Sequence, residues 1–305
     1  MRREPAALLV LVISAGAASH GAGQVPQEPA PPVFRVSVEN VYLDAFVTQG
    51  GRPVGGLRAS DFELKDDGVV QSPELLGVDA APLLAILAFD TSGSVAGEKL
   101  EALRAAGGAF LDVLRPGDQV GLLRFREDVG WMTPPTSDRD AVRLALGRMA
   151  AGGATSMLDA LYAAIVLPGT ETRSLVVLFS DGEDNVSWLD EAQVRQVAER
   201  SNALVHIVAI RPREAPSAAA RGPEPAYIRG LRRVAEVTGG RLWSAESPSR
   251  LTAAFAAVAA AMNERYVLRY EPEGVARAGW HRIELRLRGR SGDVQTRAGY
   301  WIGPR

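Results

Sequence analysis

Three short segments of this 305-residue chain gather side-chain oxygens where a folded chain would present them. In "LLAILAFDTSGSVAG" a mostly apolar run ends at Asp90, with Ser92 and Ser94 at alternating positions behind it. "GGATSMLDAL" sets Thr155 behind two glycines, and "VLFSDGEDN" sets Asp181 just past a second apolar run. Carboxylates and hydroxyls are hard oxygen donors, fit to hold a hard ligand. Singly, each segment is also what a helix cap or a tight turn requires, and Ser94 could simply cap the helix behind it. Their joint occurrence, in this order along the chain, points to one shared site.

The apolar pattern predicts the elements that position these residues. Strand candidates run over 83–89, 118–125, 174–180 and 203–210, with a short one at 241–245. Between them, Leu100, Leu103, Phe110, Leu111 and Leu114 line one face of a helix that "RPGD" stops, and "SDRDAVRLALGRM" opens with a Ser-x-x-Asp capping signal. Leu251, Phe255, Val258 and Met262 repeat at helical spacing, on a run too short to span a bilayer. This alternation predicts an α/β fold with a doubly wound, mostly parallel sheet covered on both faces. In such a sheet, ligand-binding groups collect outside the carboxyl ends of the strands where strand order reverses, and Asp90, Ser92 and Ser94 occupy such an end.

The flanks read differently. Residues 33–80 and 265–305 alternate with a period of two, and "QGGRP" and "KDDGVV" read as hairpin connections. Neither piece can bury a face alone, so the two are expected to pair into one small β-sandwich from which residues 82–264 emerge; two separate small sheets on the α/β domain are the alternative. Residues 1–23 read as a secretory signal, with Arg2 and Arg3 before an apolar run and small residues, and 24–32 as a Pro-rich linker. A second proline-rich stretch, 211–227, reads as an exposed loop. The expected address is export, to the periplasm or the extracellular space, with no membrane span in the mature chain. The absence of cysteine leaves stability to the core, and 34 basic against 36 acidic residues give no footprint for nucleic acid.

The region 82–264 resembles a von Willebrand factor type A domain. The D-x-S-x-S motif of that family's metal-ion-dependent adhesion site is matched by Asp90-Thr91-Ser92-Gly93-Ser94, its distal threonine by Thr155 and its distal aspartate by Asp181. The order of a signal, "LRASDFELKDDG", this domain and a terminal "RAGYWIG" is also similar to a group of uncharacterised secreted bacterial proteins.

The resemblance implies a metal held by Asp90, Ser92, Ser94, Thr155 and Asp181. All are oxygen donors, which suits Mg2+ or Mn2+ and disfavours zinc. Two carboxylates balance a divalent charge, and the hydroxyls add ligands without adding charge. The implied function is metal-dependent protein binding, in which the Asp or Glu of a partner protein replaces a metal-bound water. Glu183, Asp184 and Asn185 are candidates for the partner-binding rim, with solvated loop residues as the plain alternative. Rival readings are a metal-dependent hydrolase or phosphatase using the same oxygens, and a constitutive scaffold subunit of an envelope complex. A D-x-D phosphatase would need an aspartate where Ser92 stands, and a serine hydrolase a G-x-S-x-G motif. His206 falls inside a strand and His281 in the terminal β piece, so both are expected to be structural. An EF-hand fails because Ala192 stands where its glutamate belongs, and no P-loop is present.

Overall fold

Strands without a polar face need cover on both sides, and the chain supplies it with helices before and after nearly every central strand. The computed structural model describes residues 40–76, 82–169, 173–182, 184–210, 224–276 and 278–303. The expected signal and linker, the strand start at 33–39 and residues 211–223 of the proline-rich loop lie outside the described residues.

The N-terminal strands are β1 (Val41–Gln49), β2 (Arg52–Pro53), β3 (Phe62–Asp66), β4 (Val69–Gln71) and β5 (Glu74–Leu76). The central region follows as β6 (Leu84–Asp90), α1 (Glu98–Val113), β7 (Gln119–Phe125), β8 (Val129–Thr136), α2 (Arg139–Gly147), α3 (Met157–Val166), β9 (Ser174–Ser180), α4 (Glu191–Glu199), β10 (Leu204–Ile210), α5 (Ala226–Val237), β11 (Leu242–Ala245) and α6 (Leu251–Glu264). The chain closes with β12 (Tyr266–Tyr270), β13 (Gly279–Leu287), β14 (Asp293–Gln295) and β15 (Gly299–Ile302).

The central sheet has the order β11-β10-β9-β6-β7-β8, parallel except for the β7–β8 pair. Side chains of successive residues enter opposite cores: Leu87, Phe89, Val177 and Phe179 pack with α1, α2 and α6, whereas Ile86, Ala88, Val176 and Leu178 pack with α3, α4 and α5. The chain passes from β6 outward to β7 and later returns to place β9 on the other side of β6, so strand order reverses between β6 and β9. Asp90 ends the first of these strands and Asp181 directly follows the second.

The terminal strands form two further sheets, β14-β1-β12-β5 with β2 against β1, and β15-β13-β3-β4. Each mixes strands from both ends of the chain. Leu43 and Val47 of β1, Phe62 and Leu64 of β3, Leu268 of β12, and Ile283 and Leu285 of β13 share a single core. The β3–β4 hairpin turns on Asp67 and Gly68, both at positive φ (45° and 82°), as an Asp-Gly type I′ turn requires.

Two local expectations are corrected. The N-cap of α2 is Asp138, whose carboxylate accepts hydrogen bonds from the Asp140 and Ala141 amides, so the Ser-x-x-Asp signal starting at Ser137 was read one residue early. Strand β8 was not anticipated, because Pro134 and Pro135 argue against a strand; it lies at the edge of the sheet with an irregular register against β7, where missing N–H donors are tolerated.

Candidate metal centre

Asp90 is the last residue of an all-apolar strand and is fully buried. Its Oδ1 accepts the Ser92 amide at 2.8 Å and its Oδ2 accepts the Ser180 hydroxyl at 2.8 Å. No ion pair to a basic side chain offsets the burial of this carboxylate among the described residues. Burial therefore pushes its pKa up, the hydrogen bonds from Ser92 and Ser180 oppose the shift, and the nearby Asp181 charge adds to it. A carboxylate so placed is an anion in want of a cation.

The backbone then turns the hydroxyls toward the same point. Ser94 does not cap α1, whose N-cap is Gly97. Its Oγ lies 3.0 Å from Ser92 Oγ and donates to Asp181 Oδ1 at 2.7 Å. Asp90, Ser92, Ser94 and Asp181 thus form one hydrogen-bonded chain. Its two oxygen–oxygen links, Ser92 to Ser94 at 3.0 Å and Ser94 to Asp181 at 2.7 Å, are close to the spacing of neighbouring ligands around an octahedral Mg2+, about 2.9 Å for metal–oxygen bonds near 2.05 Å. Asp90 joins through the Ser92 amide. On this count the donor set fits a small hard cation.

Thr155 is brought in by its backbone. Gly152 N donates to Thr91 O at 2.9 Å and Gly93 N to Gly153 O at 3.0 Å, which ties the glycine loop to the Asp90 turn. Gly153 has φ +83°, a backbone conformation that residues with a side chain rarely adopt, so the position favours glycine. On the other side, Asn185 Oδ1 accepts the Thr155 amide at 2.9 Å, and the Asn185 amide donates to Thr155 O at 3.0 Å.

The rim residues have structural employment. Asp184 accepts from the Leu158 amide at 2.8 Å, covering one free N–H at the start of α3, and from the amide and hydroxyl of Ser187. The Asn185 side chain positions Thr155. Glu183 lies outside the described residues.

Two contributors escaped the sequence reading. Ser180 looked like the end of a strand. Lys99 reaches Asp181 Oδ2 and, at 3.1 Å, Ser94 O. A signal for Lys99 existed: it is a cation in the first turn of α1, where the helix dipole disfavours it unless an anion is close.

A second cluster of metal-ligand types sits in the sandwich. Asp66, Asp67 and His281 offer donor atoms within 4.8 Å of one another. Asp66 is already engaged there: its Oδ2 accepts from Tyr270 at 2.8 Å and Tyr300 at 2.7 Å, and its Oδ1 lies 3.0 Å from His281 Nδ1. This network joins β3, β12, β13 and β15 through buried polar groups. The other histidine, His206, accepts from the Arg241 amide at 3.0 Å and Trp243 Nε1 at 3.2 Å, both through Nδ1.

Residues 85–183, which include every ligand candidate, match the family described as von Willebrand factor type A domain. The central region has the α/β fold of that domain, and the family likeness covers about a third of the chain. A structure of a von Willebrand factor type A protein from Catenulispora acidiphila is similar over 84% of this chain and 76% of that one, with a TM-score of 0.51 and 16% identity. Proximal thread matrix protein 1 of the mussel byssus, in a structure with a zinc-occupied MIDAS motif, is similar over 64% of this chain and 49% of its own, with a TM-score of 0.50 and 15% identity. At these identities the likeness concerns the fold. A UPF0353 protein of Nocardia farcinica is 26% identical over 185 residues, covering 52% of this chain and 55% of the relative. Another, of Mycolicibacterium paratuberculosis, is 29% identical over 116 residues, 33% of this chain and 35% of the relative. The chain thus spans about half the length of the first relative and about a third of the second. No helix among the described residues is long and apolar enough to cross a membrane.

Proposed function

We propose that the type A domain, taken as residues 82–264, is a protein-binding module that depends on a divalent cation. Asp90, Ser92, Ser94, Thr155 and Asp181 would hold Mg2+ or Mn2+, with zinc as the comparison ion because the byssus protein's motif holds it. Bound there, the ion would offer a Lewis-acidic position to a carboxylate oxygen from a partner's Asp or Glu. The chain's own residues supply the rest. Asp90 and Asp181 provide the opposing charge, and the hydroxyls of Ser92 and Ser94 fix their spacing. Asn185 and the two glycine-loop hydrogen bonds keep the Thr155 segment against them.

The observation that carries the proposal is Asp90 itself: a fully buried carboxylate whose partners are the Ser180 hydroxyl and the amide of Ser92, the residue whose own hydroxyl begins a run of oxygens that ends at Asp181. Burying such a group without a cation is costly. The proposed address is the periplasm or the extracellular space, on the strength of residues 1–23.

Thermal unfolding tests the ligand set. A ligand that binds the folded state raises the melting temperature by mass action. Millimolar Mg2+ or Mn2+ is expected to raise the melting temperature of the wild type and to leave that of Asp181→Ala unmoved. An equal rise in both would remove Asp181 from the set.

A further inference from the structure

Trp188 stands 95% exposed, more than any other large apolar side chain among the described residues. Surface tryptophan is usually at least half covered by its own chain, since the indole has a large apolar area to hide. Here the loop holds it out. Asp159, in the first turn of α3, accepts the Trp188 amide at 3.1 Å and the Leu189 amide at 3.0 Å through its two oxygens. Just before, Ser187 Oγ accepts the Asp159 amide at 3.1 Å, and Asp184 clamps Ser187 and Leu158. Two successive backbone amides and the Ser187 hydroxyl are thereby pinned to the start of the same helix that Thr155 precedes. Val186, on the same loop, is 42% exposed.

We infer that Trp188, with Val186, is the apolar anchor beside the candidate metal centre, and that it takes a protein segment in which an Asp or Glu is flanked by a large aliphatic or aromatic residue. The inference rests on the metal-dependent binding proposed above and specifies its partner. Charge complementarity selects that occupant. Among the described acidic groups at this end, Asp184 and Asp159 accept backbone amides, Asp190 caps α4 and Asp181 is paired with Lys99, so the charge that draws a partner's carboxylate is that of the ion the site would hold. A carboxylate is thus drawn to the centre while its neighbour meets an indole already desolvated on no side. Rigidly presented tryptophan is the side chain most often found to dominate an interface, because little ordering entropy opposes its burial.

The probe is a phage-displayed library of short linear peptides, selected on the immobilised full chain in Mg2+. Selected peptides are expected to carry an acid next to a large apolar residue and to lose binding in EDTA. Trp188→Ala is expected to weaken them roughly 30-fold, as loss of a dominant anchor does. Leu167→Ala, at the far end of α3 and 53% exposed, is expected to leave them unchanged. Calorimetric Mg2+ binding and the melting temperature are expected to be equal in the wild type and Trp188→Ala. EDTA-sensitive peptides that bind Trp188→Ala as tightly as the wild type would overturn the anchor while leaving the metal reading intact. A library that yields only EDTA-insensitive peptides, or none, would also overturn it. Failure of the wild type to bind Mg2+ at all would instead remove the reading on which it stands.

Discussion

The ammonium group of Lys99 is paired with Asp181, the carboxylate that follows β9, and holds it with a side chain only one-third exposed while the carboxylate itself is out of solvent. A fixed positive charge therefore sits on one edge of the oxygen cluster, where it both neutralises Asp181 and opposes a second cation.

Removing that charge should help the ion. Lys99→Met is expected to raise Mg2+ affinity roughly tenfold or more, an effect that shrinks as salt screens it. Isothermal titration at two ionic strengths reads both. Unchanged affinity would mean that the ammonium moves aside without cost.

His206 should make stability fall in mild acid. Burial drives its pKa down to about 4, only partly opposed by the hydrogen bond to Arg241 N. The folded chain therefore binds a proton less readily than the unfolded chain, whose histidine titrates near 6.5. The contribution is complete above about pH 6.5, is lost as pH falls toward 4, and amounts to about 3 kcal/mol. Urea unfolding at pH 7 and pH 4 should show this loss in the wild type and its absence in His206→Phe, whose stability at pH 7 is lower because Arg241 N and Trp243 Nε1 lose their acceptor.

Asp44 of β1 ties the sandwich to the central domain. Burial works to raise its pKa, but Arg173 and Arg265 outweigh burial and hold it below the usual carboxylate value. Asp44→Ala leaves Arg265 buried without its anion and should cost about 3–5 kcal/mol, measured by urea unfolding. A loss below about 1 kcal/mol would show that water reaches Arg265.

Tyr300→Phe separates structure from metal chemistry in the sandwich. Deleting one of the three groups bonded to Asp66 should destabilise the chain by about 1–2 kcal/mol and leave divalent-metal binding unaltered. A change in metal affinity would make the Asp66, Asp67 and His281 cluster a second site.

Much of the architecture is legible in the sequence because burial imposes period. Strands such as Ser174–Ser180 are apolar at successive positions, since both faces are covered, and the helices between them carry apolar residues on one face. Strand β8 was hidden because an edge position tolerates the two prolines that an interior strand would reject. In the centre, the oxygens of Asp90, Ser92 and Ser94 stand in one short segment and could be read together. Lys99, Ser180 and the covering of the α3 start by Asp184 depend on contacts across strand order, which no local spacing encodes. The same holds for Asp66 and His281: His281 was expected to be structural, but the aspartate beside it lies 215 positions away.

Metal titration of the wild type and Asp90→Ala, with far-ultraviolet circular dichroism and thermal melting as controls for the fold, bears most directly on the central claim. The wild type should bind one Mg2+ or Mn2+ per chain, and the variant should keep its fold and lose that binding. A folded Asp90→Ala chain that binds the ion as tightly as the wild type would contradict the account.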